Sequence, residues 1–154
     1  MDDHTAFTQT PEYKTFGEYL ATHMMTAITA MSHVREPFQA EAPAALSAPI
    51  TELLSVDLAG DVDSAAFDER VAAFTATLKE QAAGLLALAG GWVVEERDVD
   101  GQKGRGYEVA IGWESLEAHM AFRETQAFRD SVPPLIAFAK GRRVHHVKFT
   151  KYEK

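Results

Sequence analysis

The residues best suited to chemistry are His119, the adjacent pair His145 and His146, and Glu52. His119 lies in "GWESLEAHMAFRETQAF" (112–128), beside Met120, Ala121 and Phe122. Imidazole titrates near neutral pH, and apolar surroundings disfavour its charged form. A neutral His119 can therefore take a proton from a phenol or an enolisable carbon and return it. His145 and His146 stand together in "RRVHHVKFTKY" (142–152). On a strand neighbouring side chains point to opposite faces, so one of the pair at most shares a face with His119. We assign His145 as its assistant and His146 to the substrate-binding surface. Two neighbours on a regular strand cannot hold one metal ion, and no metal is expected. Glu52 lies in the apolar run "ITELLSVDLAG" (50–60). On an inward face its pKa would rise, fitting it as the acid or base partner.

Four further residues are candidates for binding. Tyr107 and Trp113 alternate with Val109 and Ile111 on one face of "YEVAIGWES" (107–115), a surface that would stack a planar substrate. The same alternation also suits a plain core face. Phe122 and Phe128 extend the apolar surround along the helix that carries His119.

The elements that must position these residues follow from periodicity. Residues 9–32 read as a helix opening at Thr10-Pro11, with Phe16, Leu20, Met24, Ile28 and Met31 on one stripe. "HVREPF" (33–38) reads as a short strand and the Ala/Pro-rich stretch 39–49 as a linker. A strand follows at 50–60, then a helix over 61–90 capped by Asp63 or Ser64 and ended by Gly90-Gly91. Strands at 92–99 and 107–115 flank a Gly-rich connection at 100–106. Ser115 caps a long helix reaching Pro133-Pro134. A helical piece at 134–140 precedes the last strand, 142–152.

From residue 50 the order is β-α-β-β-α-β, an α+β, ferredoxin-like unit with two helices on one face of an antiparallel sheet. Its second face needs a cover, and a second copy of the sheet would supply one, which points to a homodimer. "HTAFTQTPEY" (4–13) echoes "HMAFRETQAF" (119–128), and "HVR" (33–35) echoes "HVK" (146–148). The expected organisation is thus a partial repeat at 1–39 (helix plus strand), a linker at 40–49, and a ferredoxin-like domain at 50–154.

Bulk properties narrow the function. The 154 residues carry a net charge of −8, the wrong sign for gripping phosphate backbones, so nucleic acid is not an expected partner. With no cysteine, thiolate metal sites, disulfides and cysteine nucleophiles are excluded. No apolar run is long enough to cross a bilayer, and the acidic, polar start does not resemble a signal peptide, so a cytoplasmic location without a membrane partner is expected.

The strand ending in Trp113-Glu114-Ser115, the "EAH" helix start (Glu117, Ala118, His119), the later Phe122 or Phe128, "LAGGWVVEERD" and "RRVHHVKF" together resemble the dimeric α+β barrel superfamily. The resemblance is to its antibiotic-biosynthesis-monooxygenase and stress-responsive A/B-barrel branches. It implies a small enzyme of secondary metabolism that uses neither metal nor other cofactor. The implied substrate is apolar, aromatic or polyketide-derived, and the chemistry is proton transfer driving cyclisation, elimination or decarboxylation. Cofactor-free oxygenation of the same substrates is the first alternative, and a non-catalytic ligand-binding or stress-responsive barrel the second. Phe122 and Phe128 stand where plant polyketide cyclases of the superfamily carry Tyr and His, so that particular mechanism does not transfer. Heme-degrading members place a ligand His near Phe128 and Arg129, so heme ligation by that route does not transfer either.

Overall fold

The computed structural model of the protein describes residues 6–23 and 32–150. Two compact units divide the chain, Met1–Met31 and Ser32–Lys154. In the first, helix α1 (Pro11–His23) has Thr10 before its first turn, where the hydroxyl accepts from the Tyr13 amide at 3.2 Å. Of the expected stripe, Phe16 is exposed, and Met24, Ile28 and Met31 lie outside the described residues.

The second unit contains α2 (Phe38–Leu46), β1 (Ile50–Ala59), α3 (Ser64–Gln81), β2 (Leu85–Trp92), β3 (Arg97–Val99), β4 (Gln102–Trp113), α4 (Leu116–Arg123), α5 (Gln126–Ile136) and β5 (Ala139–Val147). The sheet runs β2-β4-β1-β5 with every pairing antiparallel, and β3 adds a short hairpin arm to β4. This is the ferredoxin-like order, with the first and third long strands at the centre.

Alternation divides the sheet into two faces. Glu52, Leu54, Val56 and Leu58 of β1 share the front face with Ile111, Val109, Tyr107 and Arg105, their cross-strand partners on β4. Over that face lie α3, α4 and α5, burying Phe67, Leu78, Phe122 and Leu135. Each helix opens on a side-chain cap. Asp63 accepts from the amides of Ala65 and Ala66, Ser115 from Ala118, and Thr125 from Phe128.

Several expected boundaries move. The helix expected over 61–90 ends at Gln81, and "LLALAGGW" is strand β2. Leu and Ala favour helix locally, but β4 offers this segment a ladder of backbone partners and the tertiary term wins. Gly84, at φ 82°, makes the turn between them, and its Cα packs so near Ala118 that a Cβ would stand 2.6 Å from that methyl. The long helix after Ser115 is two helices, because Thr125 caps a new one. That second helix continues through Pro133-Pro134 to Ile136, and the last strand begins at Ala139. The expected strand at 33–38 is a single bridge, Val34 to Val93.

The largest correction concerns residues 39–49. They form no linker; most of them build α2, which lies on the back face against β2 and β4. Its small residues explain the fit. Ala42, Ala45 and Ala48 are buried, a Cβ on Gly112 would meet the Ala48 methyl at 2.8 Å, and Thr51 donates its hydroxyl to the Ala45 carbonyl at 2.9 Å. Part of the back face is therefore covered within the chain itself. The remainder is polar: Arg97 binds Asp57 at 2.7 Å and pairs with Glu108, while Arg143 reaches the other Asp57 oxygen at 2.8 Å.

Candidate active site

Three strands and a helix converge where β1 begins, β4 ends and β5 approaches its end. Antiparallel register sets Glu52 directly opposite His146 on β5 and Ile111 on β4, all on the front face. Trp113, two residues along β4, shares that face. The chain turns at Glu114, and α4 places His119 one turn after the Ser115 cap. His119 lies flat over the Trp113 indole, centroid to centroid 5.0 Å at 24°.

The four side chains form a connected set. Trp113 Nε1 donates to Glu52 Oε2 at 3.2 Å. His119 Nε2 stands 3.4 Å from the same oxygen, and its Nδ1 lies 2.8 Å from His146 Nε2. Glu52 and His119 are buried, 8% and 4% exposed, whereas His146 opens to solvent. A buried carboxylate, a buried imidazole and an exposed one thus stand in succession, the two imidazoles joined by a hydrogen bond and the carboxylate 3.4 Å from the inner one.

Electrostatics fixes the resting charges. Burial pushes the Glu52 carboxyl above its ordinary range, opposed by the Trp113 hydrogen bond and the charge of Arg123. Burial first, then His146 and Arg123, lower the His119 pKa to about 4. His146 is lowered by burial and by Arg123. Near neutral pH His119 is therefore uncharged, and its 3.4 Å approach to Glu52 is not an ion pair.

The expected residues divide sharply. His119 and Glu52 lie together, 3.4 Å apart. His145 does not join them: it pairs with Leu53 and sits on the back face, so the histidine beside His119 is His146. Strand parity alone left that choice open, and only the register with Glu52 decides it. Trp113 is fully buried and serves as core wall and as donor to Glu52. Phe122 packs on Trp113 and, edge-on, on Phe128. Tyr107 lies at the other end of the front face, six residues from Trp113 and about 20 Å away along β4. There it packs on Phe67 and Trp92, and burial raises its phenol to about 12. The space between helices and sheet at that end is a narrow apolar cavity of about 20 Å³ among Phe67, Phe74, Tyr107, Leu135 and neighbours, room for about one water.

Arg123 is the residue that sequence reasoning passed over. It follows His119 by four positions, and on a helix that spacing places two side chains on one face. Its charge is felt by Glu52, His119 and His146 alike. The helical spacing was legible in the sequence; its significance depends on β1 and β5 lying beneath.

One donor atom from each of Glu52, His119 and His146 lies within 4.8 Å of the others, a set a dication could in principle use. The two close contacts engage opposite ring nitrogens of His119, Nδ1 towards His146 and Nε2 towards Glu52, so they are not aimed at one centre.

No protein-family model matches the chain, and no curated protein matches it. Solved structures do. A protein of Arabidopsis thaliana superposes with a TM-score of 0.56 at 16% identity, over 69% of this chain and 100% of that one. A candidate antibiotic biosynthesis monooxygenase from Bordetella bronchiseptica superposes with a TM-score of 0.50 at 23% identity, over 66% of this chain and 97% of its own. The chain has their ferredoxin-like α+β fold. At these identities the likeness is one of fold alone, and the chemistry rests on the residues described above. Among the described residues no helix is long and apolar enough to cross a membrane.

Proposed function

We propose that the protein is a small cofactor-independent enzyme that moves a proton on an apolar, aromatic or polyketide-derived substrate, driving cyclisation, elimination or decarboxylation. The observation that carries this reading is the contiguous set Glu52–His119–His146, in which His119 Nδ1 hydrogen-bonds His146 Nε2 and His119 Nε2 stands 3.4 Å from the Glu52 carboxyl. With Glu52 ionised, His119 turns its Nε2–H towards the carboxylate 3.4 Å away and accepts at Nδ1 from His146 Nε2–H. A proton gained by the imidazole pair can pass inward to Glu52, whose raised pKa suits it to hold that proton until the product needs it. Neutral imidazoles are the form such a task requires. The Bordetella protein is described as a candidate antibiotic biosynthesis monooxygenase, and cofactor-free oxygenation at the same site is the alternative reading. We further propose a cytoplasmic homodimer, in which a second copy covers the part of the back face that α2 leaves open.

The experiment is hydrogen–deuterium exchange in D₂O, followed by NMR, on a panel of enolisable polyketones and polyphenols. Wild-type protein should accelerate exchange at the acidic carbon, and a His119→Gln, His146→Gln double variant should lose at least a hundredfold. Binding of panel members without accelerated exchange would instead mark a non-catalytic barrel.

A further inference from the structure

His119 cannot itself meet a substrate. It is 4% exposed, one ring nitrogen faces Glu52 and the other faces His146. His146 is different. Its Nε2 is engaged by His119, but Nδ1 has no hydrogen-bond partner among the described residues and the side chain is open to solvent. Beyond it, β5 carries exposed Val144 and Arg142 on the same face.

Beside these imidazoles stands Arg123. Among the described residues it forms no ion pair; its polar contact is a 3.8 Å approach of Nη1 to Met120 Sδ, and its guanidinium lies 5.9 Å from the Phe128 ring centroid. Of the arginines on the sheet, Arg97 and Arg143 pair with Asp57 and Glu108, Arg105 lies over the Trp92 ring, and Arg142 is exposed on the front face four residues from His146. An exposed guanidinium without a carboxylate, one helical turn from His119, is available to pair with an anionic oxygen.

We propose that His146 is the base that touches the substrate, that Arg123 binds the substrate's anionic oxygen, and that His119 is a positioning residue between His146 and Glu52. This rests on the proton-transfer reading and narrows the substrate class to apolar molecules that carry a carboxylate or form an enolate or phenolate. The step balances without an oxidant. The substrate's C–H or O–H bond breaks, the proton goes to His146 Nδ1, and the electron pair stays on the substrate oxygen beside Arg123. His146 then passes its Nε2 proton to His119 Nδ1, and His119 passes its Nε2 proton to Glu52. The charge moves from Glu52 to the substrate oxygen, where Arg123 receives it. Reversal returns the proton to the product. The titratable and charged groups around His146 are His119 and Arg123 from α4 and Glu52 from β1.

Two measurements test this. Benzoate and, as a neutral control, benzyl alcohol are titrated into the full-length protein while histidine ring signals are followed by NMR. Benzoate should shift the His146 signals and bind at least tenfold more weakly to Arg123→Gln, with benzyl alcohol insensitive to that change. Equal benzoate affinity in wild type and Arg123→Gln overturns the anion site, whatever the enzyme's turnover. In the exchange assay, His146→Gln should lose at least a hundredfold. His119→Gln should lose about tenfold while keeping a pH-dependent limb, displaced because the base left behind is an imidazole without its partner. Full activity in His146→Gln with loss in His119→Gln overturns the base assignment and leaves the proton-transfer reading standing. Full activity in both removes that reading itself.

Discussion

Acid should weaken this fold through His119, and the amount follows from its surroundings. In the folded protein its pKa is about 4, against 6.5 for the free side chain. A depressed folded-state pKa means that stability is fully present above the unfolded value and is lost as pH falls from 6.5 towards 4. The full loss is about 3 kcal/mol, and about 2 kcal/mol of it is already gone at about pH 5. The side chain is almost entirely buried, so solvent screening removes little of this. Replacing His119 with Gln deletes the titration while keeping an amide that can bond Glu52 and His146. Glu52, with its raised pKa, acts in the opposite direction: its ionised form is disfavoured in the folded state, so its share of stability improves as pH falls. That share is common to both proteins and largely cancels in the comparison. Urea unfolding, followed by tryptophan fluorescence at about pH 7.5 and about pH 5, should show wild type losing about 2 kcal/mol more than His119→Gln. In melting temperature the excess is about 4–8 °C. Equal acid losses in the two proteins would show that His119 is neither neutral nor held away from water, and the charge assignment of the site would fail.

Two further outcomes test the architecture. Gly112→Ala places a methyl 2.8 Å from that of Ala48 and 3.1 Å from the Ala45 backbone, so α2 must shift; a loss of about 1–3 kcal/mol in urea unfolding is expected. The homodimer predicts twice the 16.9 kDa chain mass by light scattering at micromolar concentration, and a charge reversal at Arg143, on the open part of the back face, should drive the assembly towards monomer.

Much of the fold was legible because alternation and capping are local. The front face of β1 and β4 could be read residue by residue, and Asp63 and Ser115 cap the helices where the sequence places them. What misled was composition. "LLALAGG" is rich in helix formers yet forms β2, and "QAEAPAALSAP" has the look of a linker yet mostly forms a helix, with Ala45 and, just past its end, Ala48 packed against Gly112. Neither outcome is encoded within the segment; β2 depends on the β4 ladder it pairs with and the helix on the sheet face it meets.

The site divides in the same way. The sequence by itself determined which groups were available: a histidine after a capped helix start, a carboxylate in an apolar strand, and two adjacent histidines of opposite parity. Only the tertiary structure decided that Glu52 faces His146 and not His145, that Tyr107 belongs to a separate packing cluster, and that Arg123 overlooks the imidazoles. Side-chain parity follows from the strand's own geometry, but register is fixed by pairing between segments nearly a hundred residues apart, and one residue of slip would exchange every partner.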